Sequence, residues 1–328
     1  NTGITFTNYS ATFTFVPGDI DVGANTSYFG VGKYAGGSWS YPTVGTKTAT
    51  TTQITGVTSF GDYQIGELPT VAFSAISSSG AESVTAVSIP VSLTPTSGQT
   101  VTVDYAVTGG TATGGGVDYI LANGTLTYTA GQTSQNISIT VVNDALDEVS
   151  ETIQITLSNP VNAVLGANTV HTYTITDDDA APTVTLSLSG SPMAEAGGVA
   201  TVTATLSAVS GQAVTVNLAF SGTATLTSDY TRSGTSITIP AGSTTGNITL
   251  TAVQDSIDEP NETIIVDINT VTNGTESGTQ QVTATITDDD AAPTVTLSLS
   301  GSPMAEAAGV ATVTATLSAV SGQDVTVN

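Results

Sequence analysis

Cysteine is absent from this 328-residue chain and basic residues nearly so: Lys and Arg total 3, against 27 Asp and Glu, for a formal net charge of −24. Without cysteine there are no disulfides, and with a single histidine there is little to hold zinc or copper. Too few Lys and Arg are present to displace counterions from phosphates, which excludes nucleic acid as a partner and disfavours an anionic membrane surface. No apolar run reaches 18 residues, so no membrane-spanning helix is expected. The one histidine, His171, permits at most one Ser-His-Asp site. It falls in the alternating stretch His171-Thr172-Tyr173-Thr174 and is expected to be a surface strand residue. Gly114-Gly115-Gly116 has neither the spacing nor the lysine of a phosphate loop. The expectation is a protein that is not an enzyme.

Thr, Ser, Val, Ala and Gly fill the chain, and aromatics make up only 5%. The many Val, Ile and Leu separate it from a disordered acidic chain. Their spacing has a period of two. Val101 to Val107, Ile137 to Val141 and Ile153 to Leu157 alternate apolar and polar residues with β-branched side chains, the pattern of strands with one buried face. Ser97-Gly98, Asn123-Gly124, Ala130-Gly131 and Asn159-Pro160 mark turns between them. About seven short strands in a unit of roughly 110 residues predict an Ig-like antiparallel β-sandwich.

The units repeat. Residues 182–217 and 293–328 differ only at Gly197/Ala308 and Ala213/Asp324, so 34 of 36 positions agree. The segment DDDAAPTV stands at 177–184 and again at 288–295. A more divergent copy begins at Pro69. The boundaries follow: 1–68 as the C-terminal part of a different β-sandwich, 69–181 and 182–292 as two whole repeats, and 293–328 as the start of a third, in an all-β tandem array arranged end to end. Residues 1–68 hold the only Trp (Trp39) and both Lys (Lys33 and Lys47), with strands expected at Thr12–Val16 and across 46–54. Trp39, Tyr34, Tyr41 and Phe29 are expected to pack that core, with a sugar-stacking surface as the alternative. The chain opens and stops in mid-pattern, as part of a longer protein would.

Carboxylates recur with the repeats. Asp118, Asp144, Glu148, Glu151 and the run Asp177, Asp178 and Asp179 return 111 residues later as Asp229, Asp255, Glu259, Glu262 and Asp288, Asp289 and Asp290. Glu82 and Glu195 stand early in their repeats. These acids lie in loops, and loops of a sandwich gather at its ends. Two unit charges about 4 Å apart repel by roughly 4 kcal/mol at an effective dielectric near 20. A gathered set with no basic partner therefore calls for a cation. Ca²⁺, with roughly 6–8 oxygen ligands, suits it better than Mg²⁺, which keeps its waters. Acidic loops also serve solubility alone, but the joint recurrence at a fixed offset favours a shared ligand. One Asp of each DDD run is expected to point away from the ion, because alternate strand residues face opposite sides.

The segment VVNDALDEVSETIQITLSNP (141–160), with DY at 118–119 and TDDD at 176–179, resembles the Calx-β family. So does VQDSIDEPNETIIVDI (253–268), with DY at 229–230 and TDDD at 287–290. That family is named for the calcium-sensing domains of the sodium/calcium exchanger and occurs in tandem in large bacterial surface proteins. The resemblance implies calcium ligands at Glu82, Asp118, Asp144, Glu148, Glu151 and Asp177–Asp179, and at Glu195, Asp229, Asp255, Glu259, Glu262 and Asp288–Asp290. Glu306 begins a third set. Asn143-Asp144 and Gln254-Asp255 depart from the family's pair of acids, and a neutral first member lowers the charge of the site. Asp147 and Asp258 are additional acids that either compensate or face solvent. The implied protein is an extracellular stalk or filament segment of a bacterial surface adhesin, stiffened by calcium near its repeat junctions. Its partners would be neighbouring repeats and other copies in a fibre. A carbohydrate-binding or enzyme-associated module and a calcium-regulated sensor are the rival readings.

Overall fold

The computed structural model describes residues 6–20, 22 and 24–328, except for the side chain of Trp39. The chain is all-β apart from short 3₁₀ turns at Pro17–Asp19 and Thr26–Tyr28. No helix among the described residues is long and apolar enough to cross a membrane. Two compact units divide it: residues 1–144 with 150–178, and residues 145–149 with 179–328.

In the first unit, two five-stranded sheets enclose one core. One sheet orders Gly124–Tyr128, Val101–Gly110, Glu151–Val161, Val170–Thr176 and Ser77–Ala81; the other orders Tyr119–Ile120, Ser134–Val141, Ala86–Thr94, Thr70–Phe73 and Val164–Leu165. Ten strands appear where about seven were expected, because Tyr119–Ile120 and Val164–Leu165 are two-residue edges carried in turn-rich segments and Ser77–Ala81, SSSGA, has no alternating apolar pattern. Period-two burial holds through the long strands. Ile137, Ile139 and Val141 face inward from one sheet to meet Ile153, Ile155 and Leu157 from the other. This interior burial supplies the main stabilisation of such a fold.

His171 also faces inward, which corrects the expectation of a surface histidine. It shares the inward face with Tyr173 and Ile175, lies against the Phe73 ring of the opposing sheet at 5.4 Å and is 1% exposed, while Ser77–Ala81 pairs in parallel along the strand's edge. Its ring nitrogens are placed for bonds to Ala75 O (2.7 Å) and Ser78 Oγ (2.8 Å), so burial leaves neither without a partner.

Residues 6–68 form two three-stranded sheets, Tyr9–Thr14 with Thr51–Val57 and Thr43–Lys47, and Ser38–Ser40 with Phe29–Ala35 and Asp62–Glu67. The strand expected across 46–54 is two antiparallel strands, because Thr48 accepts from Thr50 and turns the chain. Phe29 packs in the interior against Phe15. Tyr34 and Tyr41 lie at the surface instead of in the core, at 39% and 42% exposure. The expectation for Trp39 concerns a side chain outside the described residues.

The second unit builds the same sandwich. Tyr230–Arg232, Thr245–Ala252, Val199–Leu206, Thr183–Ser189 and Thr275–Glu276 form one sheet. Met193–Ala194, Gln281–Thr287, Glu262–Thr272, Val214–Gly222 and Ser236–Ile239 form the other. A hairpin, Val295–Ser300 with Thr312–Leu317, follows. Ile239 is fully buried while its neighbour Thr238 is exposed, so the two give a direct check on the register. Ile239→Ala should cost about 2–5 kcal/mol and Thr238→Ala within about 0.5 kcal/mol, read from denaturant midpoints of the second unit. Equal effects would mean the strand faces are misassigned.

Candidate metal centre

All parts of the second repeat's site fall in one compact unit. The site begins with a glycine. Gly222 ends a strand at φ 121°, and a Cβ there would lie 2.2 Å from Thr263 O. Only glycine allows this approach. Thr223 and Ala224 then both donate backbone N–H to Thr263 O, at 3.0 and 3.1 Å. The loop that follows is thereby pinned beside the start of strand Glu262–Thr272. It closes on Asp229, whose N–H donates to Thr225 O and whose carboxylate accepts the Thr225 N–H. Asp229 O in turn accepts the Val253 N–H at 2.9 Å, drawing in the segment that leads to Asp255.

Glu195 ties the opposite side. Its N–H donates to Thr287 O at 3.1 Å, next to Asp288, and its Oε1 accepts the Asp255 N–H at 3.0 Å. The side chain is 7% exposed. Backbone bonds, not side-chain attraction, therefore hold these acids together against their repulsion.

Two groups result. Glu195, Asp255 and Asp290 each present a carboxylate oxygen within 4.8 Å of the others, and Asp229, Glu259 and Glu262 do the same. Glu195, Asp229, Glu259, Glu262 and Asp288 line one small cavity backed by Val253, Pro260 and Ile286. Asp289 is exposed and accepts from Gln254 Nε2 at 3.3 Å, so it is the member of the run that turns away. Gln254, the neutral residue at the acid-pair position, thus bonds to Asp289 and to Asp255 O (2.9 Å).

The electrostatics show the strain of this gathering. Burial, then the hydrogen bond that protonated Glu262 donates to Asp229, then the charges of Asp229, Glu259 and Glu195 push Glu262 up to about 7. Burial and neighbouring carboxylates also raise Glu195, Glu259 and Asp290 above their usual values. Asp288 Oδ1 and Asp290 Oδ2 are buried with no hydrogen-bond donor. Arg232, the one basic residue of the repeats, stacks over the Phe220 ring at 4.1 Å and so is engaged outside the acid groups. A set of oxygen donors with buried, unsatisfied atoms and no cationic side chain fits a hard divalent cation.

The first repeat shows the same scaffold. Thr111 and Ala112 donate to Thr152 O, Val142 donates to Asp118 O at 2.9 Å, and Glu82 accepts the Asp144 N–H at 2.8 Å. Glu82 is 7% exposed, and its own N–H donates to Thr176 O beside Asp177. Asp178 is exposed and accepts from Ser83, matching Asp289. Glu151 opens the strand Glu151–Val161, as Glu262 opens its counterpart. Glu148 and Asp179 fall in the second compact unit. Asn143 donates to Asp144 O.

Asp147 is buried and Asp258 half-buried, and neither is in either three-carboxylate group. Asp147 is 8% exposed, and the carboxylate of each accepts from a serine hydroxyl, Asp147 from Ser210 and Asp258 from Ser321. Their separate role was not legible, because an extra acid inside an acidic loop looks like one more ligand. The recurring Ser-Gly-Gln at 97–99, 210–212 and 321–323 was the available signal.

The Calx-beta domain family profile matches residues 67–179 and 177–290. No curated protein sequence matches the chain. Among solved structures, the apo form of the Calx CBD1 domain is 27% identical, with 34% of this chain and all of that one covered and a TM-score of 0.33. The calcium binding domain CBD12 of CALX1.1 is 20% identical over 61% of this chain and 80% of that one, TM-score 0.33. A putative carbohydrate binding protein from Bacteroides ovatus is 12% identical over 61% and 64%, TM-score 0.31.

The raised carboxyls set a pH dependence. Folded Glu262 titrates near 7 against 4.5 for the free side chain, so between these values the folded state holds a proton that the unfolded state has released. The cation-free protein should therefore lose stability as pH rises through that window. Thermal melts in chelator across the window check this, and Glu262→Gln should flatten the loss. A melting temperature that rises instead would contradict the coupling.

Proposed function

Because the chain belongs to the Calx-beta domain family, we propose that its repeated acid groups bind calcium and that the repeats form a non-catalytic structural segment of a bacterial cell-surface protein. The observation that carries the calcium reading is the pair of three-carboxylate groups around one cavity, with Asp288 Oδ1 and Asp290 Oδ2 buried and without donors. Ca²⁺ accepts irregular sets of roughly 6–8 oxygens at about 2.3–2.6 Å, which suits carboxylates presented by four separate segments. Glu195 and Asp255, tied to each other, would hold it together with Asp290, while Asp229, Glu259 and Glu262 offer a second position. Asp118, Asp144, Glu82 and Glu151 are the corresponding donors of the first repeat.

The structural role follows from linkage. A cation that binds the gathered loops and not the unfolded chain stabilises the fold by about 2.7 kcal/mol at a hundredfold excess over Kd. The run Asp288–Asp290 directly precedes the repeat that begins at Pro293, so an ion held there fixes the chain where it leaves the sandwich. Repetition of near-identical units with recurring acids supports a mechanical stalk or filament outside the cell, where calcium is abundant and disulfides are not required. The exposed faces carry net negative charge, which keeps a long β-rich array soluble and apart.

Chelation should lower the melting temperature of the full chain and broaden its small-angle scattering profile, and added calcium should restore both. Asp255→Asn with Glu259→Gln, one residue from each group, should reproduce the chelated state of the second repeat in calcium. Melting and scattering indifferent to calcium in the unmodified chain would rule this reading out.

A further inference from the structure

The Asp-Glu pair in each acidic loop splits between two tasks. Glu259 belongs to the group with Asp229 and Glu262, whereas its neighbour Asp258 bonds to a different part of the chain. Asp258 Oδ2 accepts from Ser321 Oγ at 3.2 Å, and Asp258 O accepts the Gly322 N–H at 3.0 Å, forming an isolated parallel bridge with Ser321. Ser321 Oγ also accepts the Gln323 N–H at 3.1 Å. Ser321-Gly322-Gln323 lies beyond Pro293, in the next repeat.

The arrangement occurs a second time within the same compact unit. Residues 145–149 group with 179–328, and there Asp147 Oδ2 accepts from Ser210 Oγ at 2.9 Å. Asp147 O accepts the Gly211 N–H at 2.9 Å, and Ser210 Oγ accepts the Gln212 N–H at 3.0 Å. Asp147 and Ser210 are 8% and 1% exposed. A buried carboxylate must have a donor or destabilise the fold, and here the donor is supplied by the turn of another repeat.

Glycine at the centre of the turn has a reason as well. A Cβ on Gly322 would lie 2.8 Å from Glu259 Cγ, and one on Gly211 would lie 2.8 Å from Glu148 Cγ. The turn thus takes the Asp through its serine and passes beneath the Glu through its glycine. It also forms from its own residues: Ser97 Oγ accepts the Gln99 N–H at 3.0 Å in the first repeat.

We propose that the Ser-Gly-Gln turn is a docking surface for the Asp-Glu loop of the preceding repeat, and that Asp147 and Asp258 are its docking residues and not cation ligands. The partner this surface fits is another repeat of the same kind, recognised by one buried carboxylate and one adjacent backbone carbonyl. The joint lets each acidic loop bind its cation through Glu and its neighbour through Asp, two residues that consecutive backbone positions aim in different directions.

Amide hydrogen exchange in the full chain tests this at Gly322 and Gly211. Loss of a hydrogen bond to a charged group should speed exchange at Gly322 by at least about tenfold in Ser321→Ala and in Asp258→Ala. Gly211 should be unaffected in both, and Ser210→Ala should give the reverse pattern. Calcium stoichiometry, measured by titration calorimetry with calcium alone, should be the same in Asp258→Ala as in the unmodified chain. Unchanged Gly322 exchange in Ser321→Ala, a change that leaves every carboxylate in place, overturns the joint; so does loss of a bound calcium in Asp258→Ala.

Discussion

Carboxylates that repel one another are held side by side by backbone hydrogen bonds, and the rest of the architecture serves that constraint. Glu195 is fixed at both ends, by its N–H on Thr287 O and its Oε1 on the Asp255 N–H. Asp229 is fixed by Thr225 and Val253. The bond to Thr287 O is anchored in the strand Gln281–Thr287, whose Ile286 lies in the apolar interior. The sandwich thus provides the free energy to hold an unfavourable charge arrangement, and a bound cation would turn that arrangement into a source of stability.

This explains why residues far from the acids matter to them. Gly222 contributes no side chain, yet its close approach to Thr263 O sets the path of the loop ending at Asp229. Gly110 does the same against Thr152 O in the first repeat. The glycines of the Ser-Gly-Gln turns leave room for Glu148 and Glu259. Small residues at these positions are the geometric condition for large charged ones elsewhere, and the two sets travel together through the repeat.

The all-β class and the inward residues were legible because strand periodicity is local: Ile153, Ile155 and Leu157 declare their face by spacing alone. The acid groups were partly legible, because recurrence at a fixed offset marks them as a set. Which acids come together was not. Alternation along a run of three Asp turns Asp289 and Asp178 out to solvent, but no local signal says which acids of separate segments meet. His171 misled for a related reason: alternation marks it as one face of a strand but does not say that the opposing sheet, with Phe73, covers that face.

Composition, periodicity and repetition were enough by themselves to determine an all-β tandem chain, its excess of uncompensated acid and the residues that belong to the repeated set. These are properties of neighbours along the chain and of counts. Tertiary structure alone decided that Glu195 meets Asp255 and Asp290, that Asp229 meets Glu259 and Glu262, and that Asp147 and Asp258 leave both groups to hold a serine. The physical reason is that partners separated by tens of residues are chosen by strand register and loop path. A carboxylate's role depends on which donor or charge that path places within a few ångströms of it.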